Sequence, residues 1–261
     1  VLLYHGTCER IARLALTEGL LCREDSGVKS IWEHTVESNP ELVYLTIAYA
    51  PYFAYHAVPD EDDPGEQFGH RWGIVEIDTD LLDENMMLPD EDFLEQISRG
   101  QDLSEMSEDF PEGNYMTERT QWFRDHLGAF AHLWQKSLAG LGNCAHSGSI
   151  LPEAVTRVVL YDPGPNSLIT MASLDPMIST MNYRFCGPKY EGIIKWMFGE
   201  TMDAGLFSHG GLDAFANIDL TEVAEEHHAA LREQQKWARE HQRALTAALA
   251  DHSTIELLTK E

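Results

Sequence analysis

Leu2-Leu3-Tyr4-His5-Gly6-Thr7 and Leu42-Val43-Tyr44-Leu45-Thr46, separated by one helical run, are the two segments on which the reading of this chain turns. A short apolar run stopped by a glycine reads as a buried strand reaching its end. Gly6 lets a backbone come close to a ligand, and His5 and Thr7 flank it with hydrogen-bonding side chains. Over residues 8–18, Ile11, Ala12, Leu14 and Ala15 recur at helical spacing. Gly19 then stands where a helix C-cap belongs, with Leu20 as the hydrophobic contact that follows. Residues 42–46 are strand-like again, and residues 48–57, with several tyrosines, read as a helix packed behind them. Strand, glycine turn, helix, strand, helix is an α+β opening with polar groups at its strand ends. Taken singly, His5 is a turn histidine and Tyr44 a core tyrosine; their order and spacing carry the further reading.

In that order the residues resemble the opening of an ADP-ribosyltransferase. The branch is the diphtheria-toxin and poly(ADP-ribose) polymerase one, marked by a histidine, a tyrosine and a glutamate on three strands. The resemblance implies an α+β fold with a split β-sheet core, and NAD as the substrate whose nicotinamide is released. It implies that His5 bonds a ribose hydroxyl and that the Gly6 backbone, beside Thr7, bonds the nicotinamide carboxamide. Tyr44 would stack on one face of the nicotinamide ring, with Thr46 supporting its strand. Tyr55 stands where the polymerases carry a second stacking tyrosine. The likeness covers residues 1–57 well and residues 73–161 loosely.

The third signature residue departs from the pattern. The family's glutamate would fall within residues 143–149, which read Asn-Cys-Ala-His-Ser-Gly-Ser. Breaking the nicotinamide–ribose bond generates an oxocarbenium-like transition state, and a fixed carboxylate both stabilises that charge and orients the ribose. Glu153 is the nearest acid, either a substitute or a solvated turn residue after Pro152. His146 or Asn143 would instead orient the ribose by hydrogen bonding, or serve as ordinary strand residues. The catalytic set under this reading is His5, Tyr44, His146 and Glu153.

Composition bounds the rest. The 261 residues carry 44 acidic against 18 basic side chains, a formal net charge of −26. Such a field disfavours non-specific binding to nucleic acid or anionic membranes. It also opposes the NAD pyrophosphate unless local donors compensate within a Debye length of about 8 Å. The acids concentrate in 60–63, in 83–95 and in 105–112, which read as solvated loops or as an attraction for a basic partner. No stretch approaches twenty apolar residues, so no membrane span is expected. No signal-peptide pattern is seen, and Cys8, Cys22, Cys144 and Cys186 are scattered without CxxC spacing. A reducing cytoplasm, no structural metal and no disulfide framework are expected.

The expected organisation is a catalytic core over 1–162 with an acidic insertion near 98–114, and a mostly helical extension over 163–261. Residues 117–138 place Trp122, Phe123, Leu127, Phe130 and Trp134 at helical spacing and read as one amphipathic helix. Ile194, Met197 and Phe198 suggest a further helix. Residues 220–249 hold neither proline nor glycine and read as a long helix with an alanine-rich stripe. It packs on its own domain or meets a partner. Compact relatives of the suggested family are often bacterial or phage toxins or effectors. The resemblance therefore implies a macromolecular acceptor, protein or nucleic acid, and an antitoxin or other protein partner at the last helix. Two alternatives stay open: an RNA 2′-phosphotransferase, which requires basic side chains converging near His5, and an inactive ADP-ribosyltransferase fold acting as an interaction protein.

Overall fold

The computed structural model describes residues 1–27, 37–47, 49–57, 71–99, 110–111, 116–162, 194–200 apart from 196, scattered positions between 228 and 240, and 255–260. Seven strands form one sheet: β1 (Leu2–Cys8), β2 (Leu42–Thr46), β3 (Trp72–Asp78), β4 (Met87–Pro89), β5 (Asn143–Ser147), β6 (Val155–Tyr161) and β7 (Ile255–Thr259). Their spatial order is β4-β5-β2-β1-β3-β6-β7, and every adjacent pair is antiparallel. The α-helices described in full are α1 (Glu9–Glu18), α2 (Arg23–Ser26), α3 (Ala50–Ala57), α4 (Glu91–Ser98), α5 (Met116–Asp125) and α6 (Trp134–Leu141). The mixed α and β composition agrees with the sequence. Among the described residues, no helix is long and apolar enough to cross a membrane.

The sheet is joined unevenly at its centre. β1 pairs with β3 along its whole length, from Leu2 opposite Asp78 to Cys8 opposite Trp72, but with β2 only at Tyr4 opposite Thr46. Two well-paired halves, β4-β5-β2 and β1-β3-β6-β7, therefore meet at one point. Each face is covered because alternate residues of the central strands are apolar on both sides. Leu3, Val43, Leu45, Val75 and Ile77 lie on the face that α1 covers with Ala12 and Ala15. On the opposite face Tyr4, Trp72 and Ile74 pack under Ala50 and Ala54 of α3, joined by Ile194, Met197 and Phe198. Leu42 and Ala145 continue that face beneath Phe93, Leu94, Phe123, Leu127 and Leu141.

Local chemistry sets the element ends as the sequence suggests. α1 stops at Gly19, whose φ of 83° a side chain resists, and its N–H returns to Ala15 O. Leu20 then forms a bridge with Ile150, which ties the end of α1 to the segment after β5. The aromatic run of residues 117–138 departs from the single helix expected. It is α5, a 3-10 stretch over Leu127–Leu133, and α6. The His126 ring Nδ1 lies 2.8 Å from Trp122 O, the carbonyl that the His126 backbone would otherwise use, and the His126 N–H bonds Phe123 O instead. The turn tightens accordingly.

Residues 255–259, within the expected C-terminal extension, enter this same sheet. β7 pairs with β6 at the edge, and Glu256 accepts from Arg71 at 2.7 Å and from Arg13 at 3.1 Å. Glu9 binds the same two arginines, and their guanidinium groups hold its carboxyl down at about 2. Phe198 stacks on Tyr4, while Arg157 lies over the Phe198 ring and bonds the buried Glu76 carboxylate. Most of the expected helix over 220–249, and most of the acidic stretch 98–114, lies outside the described residues.

Gly6 is the tightest point of this packing. A Cβ there would lie 2.0 Å from Ala50 O and 2.6 Å from Ala54 N, so α3 rests directly on the β1 backbone. Gly6→Ala should therefore destabilise the fold by about 3 kcal/mol, the upper range of overpacking costs, read as a lower midpoint in urea denaturation.

Candidate functional site

The split between β1 and β2 is built by one side chain. In an antiparallel ladder, alternate residues direct their N–H and C=O to opposite neighbours. Thr79 N bonds Val1 O and Glu9 N bonds Arg71 O at the two ends of the β1–β3 register. The odd residues of β1 therefore bond β3, and Tyr4 and Gly6 direct their peptide groups toward β2. On β2, Ile47 N bonds Gly142 O and Gly148 N bonds Glu41 O, so the even residues, including Tyr44, direct theirs toward β1. Continuing the single pair Tyr4–Thr46 would set Gly6 opposite Tyr44. Instead the His5 ring takes the Tyr44 carbonyl, with Nδ1 at 2.8 Å. The imidazole fills the place of a ladder bond, and β2 leaves the N–H and C=O of Gly6 facing the split.

That bond also fixes the chemistry of His5. A carbonyl offers no proton, so Nδ1 carries it and Nε2 presents a lone pair. Burial pushes the His5 pKa below its usual value, more than the Tyr44 carbonyl raises it. The ring is held neutral, as a hydrogen-bond acceptor at Nε2. Tyr55, the residue after the Ala54 that packs on Gly6, is 40% exposed and meets the Trp72 ring edge-on at 5.6 Å. The split thus gathers His5 and Gly6, while Tyr55 lies on the helix that covers Gly6, against Trp72 of β3.

The remaining sequence-derived residues divide. Tyr44 joins the site through its carbonyl, while its ring packs at the border of the α4–α5 cluster. Its hydroxyl donates to Glu91 Oε1 at 2.6 Å and accepts from Asn39 N at 3.1 Å. Thr7 is buried on β1, opposite Gly73. Thr46 is 1% exposed; its hydroxyl donates to Gly142 O and accepts from Tyr49 N, so it joins β2 to β5 and to the approach of α3. His146 lies in β5 opposite Val43, 6% exposed, with Nδ1 3.1 Å from Gly148 O. Register places it on the same sheet face as the His5 position. Glu153 is exposed in the 3-10 turn Pro152–Ala154. Asn143 opens β5 opposite Thr46, with a buried Oδ1 that no hydrogen bond satisfies.

Buried acids stand within the stretch 83–95, whose charge read as a solvated surface or as an attraction for a basic partner. Asp90, Glu91 and Glu95 are all buried at the start of α4. Asp90 caps the helix by accepting from Asp92 N. Burial raises the Asp90 and Glu91 carboxyls above their usual range, and the Tyr44 bond pulls Glu91 partly back. Glu91 Oε2 has no hydrogen-bond partner. An unsatisfied buried oxygen costs about 1–3 kcal/mol, set against the bond that Oε1 makes with the Tyr44 hydroxyl. The only sequence signal for Glu91 was its place in Pro89-Asp90-Glu91-Asp92, which has the form of a helix start and leaves open whether the acids face inward. No group of side chains suited to a metal ion occurs among the described residues.

Comparison with known proteins finds no family model that matches the chain and no similar curated protein.

The depressed His5 pKa fixes a pH signature. The unfolded chain takes up a proton near 6.5 that the folded ring refuses, so the difference favours the folded state fully above that pH. The contribution is lost as pH falls below 6.5 toward the lowered folded value. Comparing urea stability of wild type and His5→Gln from pH 7.5 to 5.5 should show a steeper decline in the wild type. The 15N shifts of His5 should report an Nδ1–H neutral ring at pH 6.5.

Proposed function

We propose that this chain is an NAD-dependent ADP-ribosyltransferase, which releases nicotinamide and passes ADP-ribose to a macromolecular acceptor. The observation that carries the reading is the split itself. His5 replaces a ladder bond, which leaves a neutral imidazole Nε2 beside an open peptide edge at Gly6. Gly6 N–H donates to the carboxamide oxygen of nicotinamide, and Gly6 C=O accepts from the carboxamide NH2. His5 Nε2 accepts from a ribose hydroxyl. Tyr55, on the helix that covers Gly6, flanks the nicotinamide, a stacking contact contributing about 1 kcal/mol beyond area burial. The reaction breaks the bond between the nicotinamide nitrogen and the anomeric carbon. Neutral nicotinamide leaves with the bonding electrons, an acceptor nucleophile attacks the carbon, and the acceptor's proton goes to solvent.

Two features argue for positioning as the main source of rate. His5 is desolvated and pre-oriented by Tyr44, so no reorganisation is needed when the ribose hydroxyl arrives. On β5, the strand that carries the family's glutamate, His146 stands on the sheet face that the His5 position shares, and it offers a hydrogen bond in place of a carboxylate. The exposed turn position of Glu153 makes it the weaker substitute. Of the arginines in the first fifteen residues, Arg13 is tied to Glu9 and Glu256, which gives the phosphotransferase alternative little to grip phosphate with near His5.

Incubation with NAD, alone and with a cell lysate, should release nicotinamide, and His5→Ala should lower the rate by about a hundredfold, the loss typical of removing one pre-organised hydrogen-bonding group. Label from NAD appearing in lysate protein or nucleic acid would define the acceptor class. Absence of release from folded wild-type protein in both conditions would overturn the reading in favour of an inactive fold or a phosphotransferase.

A further inference from the structure

We propose that Glu91 is a positioning residue for the His5 site: through the Tyr44 hydroxyl it holds β2 where the Tyr44 carbonyl can bond the His5 ring. The effect on NAD rests on the ADP-ribosyltransferase reading; the effect on His5 does not. Glu91 is 6% exposed and lies at the first position of α4. Its Oε1 accepts from the Tyr44 hydroxyl at 2.6 Å, and the Tyr44 carbonyl meets His5 Nδ1 at 2.8 Å. The helix start is itself fixed. Asp90 N donates to Ser137 Oγ at 3.0 Å, and that buried hydroxyl donates to Asn143 O at 2.8 Å. A run of hydrogen bonds thus passes from β5 through α6 and α4 to Tyr44 on β2, and from there to His5 on β1.

The geometry separates this role from a packing role. Phe93 and Leu94 supply the apolar contacts of α4, so the fold does not need a carboxylate beside them. One Glu91 oxygen is spent on Tyr44, and the other is buried without a partner. Tyr44 is held at both ends, by Glu91 and Asn39 at its hydroxyl and by His5 at its carbonyl. β2 has a single registered pair to β1, so these side-chain bonds take over the alignment that ladder bonds supply elsewhere in the sheet. A shift of β2 frees the His5 Nδ1 proton to move to Nε2, which turns the acceptor aimed at the ribose into a donor.

The test compares Glu91→Leu, Glu91→Gln, Tyr44→Phe and the Glu91→Leu/Tyr44→Phe pair, reading urea stability, the His5 15N shifts and KM and kcat for nicotinamide release. Leucine fills the space but leaves the Tyr44 hydroxyl proton unpaired, so the urea midpoint should fall in Glu91→Leu and recover in the double variant, while KM for NAD rises about tenfold, the equivalent of one good hydrogen bond. The His5 ring should then show both neutral tautomers. Glutamine still accepts from Tyr44 and should behave as wild type; Tyr44→Phe should match Glu91→Leu, and the double variant should be no worse than either. Unchanged His5 shifts in Glu91→Leu, or additive losses in the double variant, would overturn the proposal. Should wild type release no nicotinamide, the functional reading fails alone, because the His5 shifts still decide the role of Glu91.

Discussion

The bond between the His5 ring and the Tyr44 carbonyl is the constraint on which the rest of the site depends. An antiparallel sheet normally satisfies facing peptide groups with each other, and an interior gap in the ladder leaves them without partners. Here the imidazole satisfies one carbonyl, and the adjoining Gly6 peptide is left facing the gap. Three outcomes follow from one interaction. The sheet divides into two halves, the His5 tautomer is set, and an unpaired peptide edge is created beside it. Only a side chain with a ring donor at that distance does all three. Lysine would bring a charge into a buried place, and a hydroxyl is too short to span two strands. The same substitution of imidazole for a backbone donor recurs at His126 and Trp122, where it breaks a helix instead of a sheet.

Helix packing is what keeps the gap from collapsing. α3 lies against Gly6 so closely that no Cβ fits, and Thr46 ties the approach to that helix to the end of β2 and to Gly142 before β5. Behind β1, Phe198 stacks on Tyr4 and is itself covered by Arg157, whose charge is balanced by the buried Glu76. The glycine whose peptide faces the split is thus also the glycine that lets a helix approach. Its two uses lie in perpendicular directions: α3 presses on the face where a side chain would stand, and the peptide N–H and C=O point along the sheet into the split.

The first two strands and the helices that follow them were legible because their signals are local. Residues 42–46 read as a strand and are β2, and Gly19 caps α1 at the place its sequence pattern gives. His5 and Tyr44 meet through the Tyr44 carbonyl because both lie on adjacent strands that the sequence pattern marks. What escaped was set by tertiary direction. Asp90 and Glu91 look like any acidic helix start, and only packing against Tyr44 turns them inward. The 3-10 break after α5 depends on where one histidine ring points, which periodicity does not encode. The edge strand β7 lies far from β6 along the chain, and its docking through Glu256 to Arg13 and Arg71 is a long-range pairing with no sequence signature.

The absence of a carboxylate in β5 reads differently once the geometry is in view. A glutamate on that strand would add a negative group to a protein that already carries a formal net charge of −26. In this site the groups that face the split are a neutral imidazole and an uncharged peptide, and the nearest acid with a defined link to them, Glu91, acts through the neutral Tyr44 hydroxyl. Charge is thus kept one residue away from the split. Burial favours that arrangement, because a carboxylate facing the split would raise its own pKa and tend to take up a proton. A site that works by holding a neutral acceptor in place needs rigidity more than charge, and the bonds from Ser137 through Asp90, Glu91 and Tyr44 to His5 supply it.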